Sequence, residues 1–170
     1  MGKRIITVFG GSGFLGRHVI RKLVRKDSII RVAVRKPELA GFLRPLGNLG
    51  QVVPIQTNIR DDSSVGKALE GATDVINLVG VLYESRRQGF SDIHTIGPSR
   101  IGKAATASGV DRLVHVSAVG ANSSSNSRYL RSKALGEEAL LKAFPKATIV
   151  RPSILFGPED NFFNKFGSLA

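Results

Sequence analysis

Tyr129 and Lys133 stand four residues apart in RYLRSKALGE, a spacing that puts both side chains on one face of a helix. A phenol beside an ammonium can donate a proton, because the positive charge lowers its pKa. The pair alone is a weak signal, since Y-x-x-x-K also occurs on helices that do no chemistry. A second group is more specific. VFGGSGFLGRHV matches G-x-x-G-x-x-G through Gly10, Gly13 and Gly16, and G-x-G-x-x-G through Gly11, Gly13 and Gly16. A strand-like run precedes it and an amphipathic helix follows, the context a dinucleotide-binding loop requires. There the chain must turn sharply, let a pyrophosphate touch its backbone and start a helix close to the sheet, which asks for residues without a Cβ. The helix N-terminus adds free N–H groups for the anion. A glycine-rich turn that only packs closely is the alternative. A third signal lies at the end of the second strand-like run. An NAD site usually places a carboxylate there for the ribose hydroxyls. Arg35 and Lys36 stand there instead, and cations suit a 2′-phosphate. NADP(H) is therefore the expected cofactor, ahead of NAD(H).

The elements that must position these residues alternate along the chain. RIITVFG is strand-like and FLGRHVIRKLVRK helical; IIRVAVR and VVPIQT are further strands, with a helix from Asp61 to Glu70. TDVINLVG reads as a fourth strand, Ser91 to Ala107 as a helix, RLVHVSAV as a fifth strand, NSRYLRSKALGEEALLKAF as a helix, and ATIVRPSILFG as a sixth strand with its exit. Strand–helix alternation implies a parallel sheet covered on both faces, the doubly wound α/β architecture, in one domain over residues 1–170. ANSSSNS reads as a loop that caps the following helix.

Composition narrows the classes. The 170 residues include no cysteine, which excludes disulfides, thiolate metal sites and cysteine catalysis. His18, His94 and His115 are far apart in sequence and lack metal-ligand spacing. No apolar run reaches membrane-span length, and the opening residues do not read as a leader peptide. That start favours a bacterial source and a cytoplasmic protein. The net charge of +12 admits nucleic acid, anionic lipid or an acidic protein partner. The basic residues are spread out, and Arg17, Arg21, Lys22 and Arg25 fit a solvated helix face opposite Leu15, Val19, Leu23 and Val24. Nucleic-acid binding rests on charge alone, without a helix-turn-helix or base-stacking pattern.

GGSGFLGRHV, NIRD, DVINLVG, YLRSK and RPSILFGPED occur in the order found in extended and atypical short-chain dehydrogenase/reductases, which the chain resembles. FLRPLGNLGQVV, INLVGVLYES, HVSAVGANSSSNSRYLRSKALGE and FPKATIVRPSILFGPEDNFFNKF resemble one branch more closely. That branch is the NADPH-binding accessory subunit family of respiratory complex I and its bacterial relatives. The resemblance implies a Rossmann domain in which Gly10, Gly13, Phe14, Leu15 and Gly16 hold the pyrophosphate. It places Arg35, with Arg17 and Lys36, at the 2′-phosphate and Asn58 and Ile59 at the adenine. Val79, Gly80 and Val81 would lie along the cofactor, Tyr129 and Lys133 at the nicotinamide ribose, and Pro152 and Ser153 beside the nicotinamide.

Two departures bear on activity. Active members carry a Ser or Thr one or two residues past HVS, where this chain has Ala118 and Val119; Ser117 sits early, and Ser123 to Ser125 offer no spacing argument. Relatives of this kind also run about twice as long, with a further strand and a substrate-side domain. The expectation is thus a fold truncated before the last strand, with an open C-terminal edge and Phe162, Phe163 and Phe166 promoting self-association. No residue is assigned as catalytic. The favoured function is an NADP(H)-loaded subunit or assembly factor of a complex I-like enzyme, its cofactor structural. Its partners would be respiratory subunits or an anionic membrane surface. Its place would be peripheral on the cytoplasmic face of a bacterial inner membrane, or the matrix side in a mitochondrion. A turning-over NADPH-dependent reductase, or a sugar-nucleotide-type epimerase or dehydratase, is the alternative.

Overall fold

The run RIITVF forms β1 (Arg4–Phe9), which is buried from Ile6 to Phe9 without alternation. Such a pattern belongs to a strand covered on both faces. The computed structural model describes residues 3–85 and 88–160. After β1 come α1 (Phe14–Leu23), β2 (Ser28–Val34), β3 (Val52–Gln56), α2 (Asp62–Leu69) and β4 (Asp74–Asn77). A π-helical turn (Ser91–Ile96) runs into α3 (Gly97–Ala107), followed by β5 (Arg112–Val116), α4 (Arg128–Ala143) and β6 (Thr148–Val150). All strand pairs are parallel, in the order β3-β2-β1-β4-β5-β6. Successive strands run outward from β1 on both sides, so the order reverses between β1 and β4. In open α/β sheets this reversal opens a crevice at the strands' carboxyl ends. Phe9 lies opposite both Ala33 and Asn77, and Asn77 opposite His115, so those ends are level.

Two apolar layers hold the helices to the sheet. Phe9, Val65, Leu69, Ile101, Leu113 and Leu140 form one, and Val8, Ile20, Ile30, Val32, Leu43 and Val52 the other. Each large side chain so buried contributes about 1.5–3 kcal/mol. Helix starts follow local chemistry. Asp61 caps α2, its carboxylate accepting from the Ser64 N–H at 2.6 Å. Ser127, at the end of the serine loop, caps α4 and accepts from the Leu130 N–H.

Three elements depart from the sequence expectation. Strand β4 ends at Asn77 and not at Gly80, because the Asn77 side-chain oxygen takes the Val79 N–H at 3.1 Å and draws the backbone out of the ladder. The helix expected from Ser91 begins as a π-helical turn. Pro98 has no N–H to donate to the His94 carbonyl four residues earlier, which removes one rung of a regular helix. Pro37–Leu46, unassigned from sequence, forms a run of 3₁₀ turns, with Pro37 at its start and Pro45 inside. Phe162, Phe163 and Phe166, expected to leave an apolar patch, lie outside the described residues. Among the described residues no helix is long and apolar enough to cross a membrane.

Candidate cofactor site

The glycine loop fills the turn from β1 into α1. Gly10 has φ +76°, and a Cβ there would also meet the Leu78–Val79 backbone at 3.1 Å. A Cβ on Gly16 would lie 2.5 Å from the Gly11 backbone, so only glycine lets α1 start so close to the loop. Gly13 is the N-cap of α1 and uses no side chain to satisfy the helix start. The first N–H groups of α1, from Phe14, Leu15 and Gly16, therefore lack intrahelical acceptors. That end suits an anion.

The loop forms one wall of a cavity of about 300 Å³ at the reversal point. Gly10, Gly13, Arg35, Asn58, Ile59, Val79, Gly80 and Val81, all named from sequence, line it together. Arg35 is part of its lining, and the Gln88 amide, turned to present its oxygen, accepts from the guanidinium. Lys36 borders an adjoining hollow with Ser12 and Arg35. Asn58 is held by its own turn: its N–H donates to Ser64 Oγ at 2.9 Å and its side-chain oxygen accepts from the Arg60 N–H at 3.1 Å. Arg17 turns elsewhere, donating to the Ser12 carbonyl at 3.2 Å and lying 4.6 Å over the Phe42 ring. The Phe14 ring meets His18 edge-on, 5.3 Å between centroids, and is not part of the cavity lining.

The other side of the reversal holds Tyr129 and Lys133. Lys133 is buried, and its ammonium donates to the Val116 carbonyl at 2.9 Å. A Cβ on Gly80 would lie 4.0 Å from that ammonium, so Lys133 forms part of the floor behind the cavity wall. Burial lowers its pKa to about 8 against the opposing pull of Glu137, which leaves it charged at neutral pH. Tyr129 differs from the expectation. Its half-buried phenol is pushed up by desolvation, opposite to the lowering expected from a neighbouring ammonium. Pro152 and Ser153 lie off the cavity, where the Pro152 carbonyl takes the Val119 N–H at 2.9 Å. Ser117 is buried near Glu137 without a hydrogen bond of standard geometry, and Ala118 and Val119 bring no polar side chain.

Sequence reasoning missed several polar groups here. Asn77 Nδ2 donates to His115 Nδ1 at 3.0 Å, and the Val81 N–H donates to His94 Nε2 at 3.0 Å. Both histidines are buried. Desolvation first, and the Lys133 ammonium second, lower His94 to about 4 and His115 to about 3. Burial pushes the Glu137 carboxyl up, but Arg151, bonded to it at 2.5 Å, and Ser117 hold it below the ordinary range. Asn77 and His115 meet because β4 and β5 are neighbours, and a one-dimensional spacing rule cannot see that. The exception is Asn77, where a polar residue inside the apolar run DVINLVG was itself a signal.

The whole arrangement fits a dinucleotide: backbone donors at a helix start, a cation in the lining after β2 and a lysine behind the wall at Gly80. Comparison with known proteins agrees. Residues 10–162 match the family model described as NAD(P)H-binding. The chain is 41% identical over 165 residues to the mouse NADH dehydrogenase [ubiquinone] 1 alpha subcomplex subunit 9, mitochondrial, covering 96% of this chain and 44% of that protein. It is 34% identical to the Neurospora crassa NADH-ubiquinone oxidoreductase 40 kDa subunit, mitochondrial, over 99% of this chain and 45% of that one. A ceramide reductase of Caulobacter vibrioides is 32% identical, over 92% of this chain and 48% of the reductase. The chain thus spans less than half the length of these relatives. An X-ray structure of Pen from Bacillus thuringiensis shares the fold, with a TM-score of 0.74, 20% identity, and coverage of 91% of this chain and 51% of that one. By the match over nearly its whole length, the chain belongs to the NAD(P)H-binding family.

Proposed function

We propose that this domain holds NADP(H) as a resident cofactor that is not turned over, within an accessory subunit of a complex I-type respiratory enzyme. The observation that carries the choice of cofactor is Arg35, directly after β2 and in the cavity lining, where an NAD site would carry a carboxylate. A guanidinium can grip a 2′-phosphate through two parallel hydrogen bonds. The α1 N–H groups would take the pyrophosphate, Asn58 and Ile59 the adenine, and Lys133 a ribose hydroxyl. Phe14, Leu15 and Gly16 act through those N–H groups, and Lys36 adds charge beside Arg35. Pro152 and Ser153, which do not line the cavity, would flank only a nicotinamide that extends past it.

When bound, the nicotinamide supplies a hydride to a carbonyl, and the protein must then protonate the oxygen. This chain is poorly built for that duty. The Tyr129 phenol is raised by burial, Lys133 is engaged with Val116, and Ala118 and Val119 offer the carbonyl no donor. One missing donor of this kind typically lowers a rate by about 10²–10³. Support for the respiratory setting comes from relatives whose names make them subunits of NADH:ubiquinone oxidoreductases. The net charge of +12 suits acidic subunits or an anionic membrane face, on the matrix or bacterial cytoplasmic side. The ceramide reductase relative, with Tyr129 and Lys133 both present, favours a second reading as an active reductase. Nicotinamide absorbance of the loaded protein, followed against quinones, aldehydes and ketones, separates the two. The proposal expects no decay above buffer, whereas steady oxidation abolished by Tyr129→Phe would establish the reductase.

A further inference from the structure

His94 sits, buried, in the π-helical turn that leads into α3. Its ring accepts from the Val81 N–H at Nε2, 3.0 Å away. That bond leaves the proton on Nδ1, which donates to Ser132 Oγ at 2.9 Å. The Ser132 hydroxyl in turn donates to the Tyr129 carbonyl at 2.7 Å. One imidazole thus joins the β4 exit, which lines the cavity, to the first turn of the helix that carries Tyr129 and Lys133. The backbone reinforces the link. A Cβ on Gly136 would fall 1.8 Å from the His94 carbonyl oxygen, so α4 rests directly on the turn. The ring is also packed flat on Phe90, 5.1 Å between centroids, and edge-on to Tyr129 at 5.5 Å.

We propose that His94 is a positioning residue that fixes Val79–Val81 relative to Tyr129 and Lys133, and so presets the nicotinamide half of the site. This rests on the cavity being the dinucleotide site. The adenosine half would lie over β1, β2 and β3, where Arg35 and Asn58 are, whereas the hydrogen bonds of His94 go to Val81 and Ser132. The nicotinamide half lies over β4 and β5, across the reversal point. Loss of the His94 hydrogen bonds should therefore weaken a whole dinucleotide and spare a ligand that fills only the adenosine half.

The test compares NADPH with adenosine 2′,5′-bisphosphate by calorimetry on the wild-type chain, His94→Phe and His94→Gln. Phenylalanine keeps the ring and its packing and removes both hydrogen bonds. Glutamine can return an acceptor near the place of Nε2. His94→Phe should bind NADPH about tenfold more weakly, the scale of one or two lost hydrogen bonds. Its affinity for the bisphosphate should be unchanged, and His94→Gln should recover part of the NADPH loss. Equal weakening of both ligands, or of neither, refutes the role of His94 and leaves the cofactor reading standing. A wild-type chain that binds neither ligand refutes the cofactor reading, and the positioning role with it. If the variants do not fold, nitrogen NMR of the wild type decides: His94 must carry its proton on Nδ1, and the Val81 amide must exchange slowly. The Nε2–H tautomer, or a rapidly exchanging Val81, overturns the proposal.

Discussion

Acidification from pH 7 to pH 5 should remove on the order of 4 kcal/mol of folding stability, through two buried histidines. His94 and His115 are neutral in the fold, with pKa values lowered to about 4 and about 3. In the unfolded chain each titrates near 6.5. A depressed pKa means that the stability is full above the unfolded value and is lost as pH falls through the window below it. At pH 5 the unfolded imidazoles are already protonated and the folded ones are not. The gap from 6.5 to 5 is worth about 2 kcal/mol per histidine, at about 1.4 kcal/mol for each pH step. Glu137 and Asp74 do not confuse the window. Although burial pushes both up, Arg151 holds Glu137, and Arg4 holds Asp74, below their ordinary range, so they begin to matter only at lower pH. Since domains are commonly stable by about 5–15 kcal/mol, the loss is large enough to read by urea unfolding at both pH values. His94→Phe and His115→Phe should each retain roughly half of the pH dependence, whatever their stability at pH 7. A wild-type chain equally stable at pH 7 and pH 5, within about 1 kcal/mol, would refute the reasoning.

Arg35→Asp should weaken NADPH by ~1.5–3 kcal/mol, the scale of a charge-assisted bond, and affect NADH little. A parallel loss for both cofactors in calorimetry would place Arg35 elsewhere. Gly16→Ala drives a methyl group to 2.5 Å from the Gly11 backbone, which cannot withdraw without shifting the loop. A loss of about 1–3 kcal/mol by thermal unfolding is expected, with weaker dinucleotide binding, and an unchanged melting temperature would contradict it. Tyr129→Phe should leave NADPH affinity within ~1 kcal/mol, since one hydroxyl hydrogen bond is the most it removes. A larger loss by fluorescence titration would give the phenol a binding role that its half-buried setting does not suggest.

The strand–helix order was legible because unbroken apolar runs such as RIITVF and IIRVAV suit strands buried on both faces. The glycine loop was legible because three backbone constraints converge within a few residues. Element ends were less so. Strand β4 stops at Asn77 through a side-chain bond to Val79, and α3 starts with a π-helical turn because Pro98 lacks a donor. Periodicity carries neither effect. Of the residues that line the cavity, Gly10, Gly13 and Arg35 were legible as motif positions, while Asn58, Ile59 and Val79–Val81 came from the family resemblance. The pairing of His115 with Asn77 was not legible, since it depends on β4 and β5 becoming neighbours, nor was that of His94 with Val81, since it depends on how the π-helical turn folds back on the β4 exit. The helical spacing of Tyr129 and Lys133 was legible, but the burial of Lys133 and the desolvation that pushes the Tyr129 phenol up were not, because both depend on what packs around α4.

The central claim, that the cavity between β1 and β4 holds NADP(H), is tested most directly by calorimetric titration of the nucleotide-free chain with NADPH and with NADH. One site per chain is expected, with NADPH bound at least about tenfold tighter, equivalent to ~1.4 kcal/mol. Equal affinity for the two would contradict the role given to Arg35, and no binding of either would contradict the site itself.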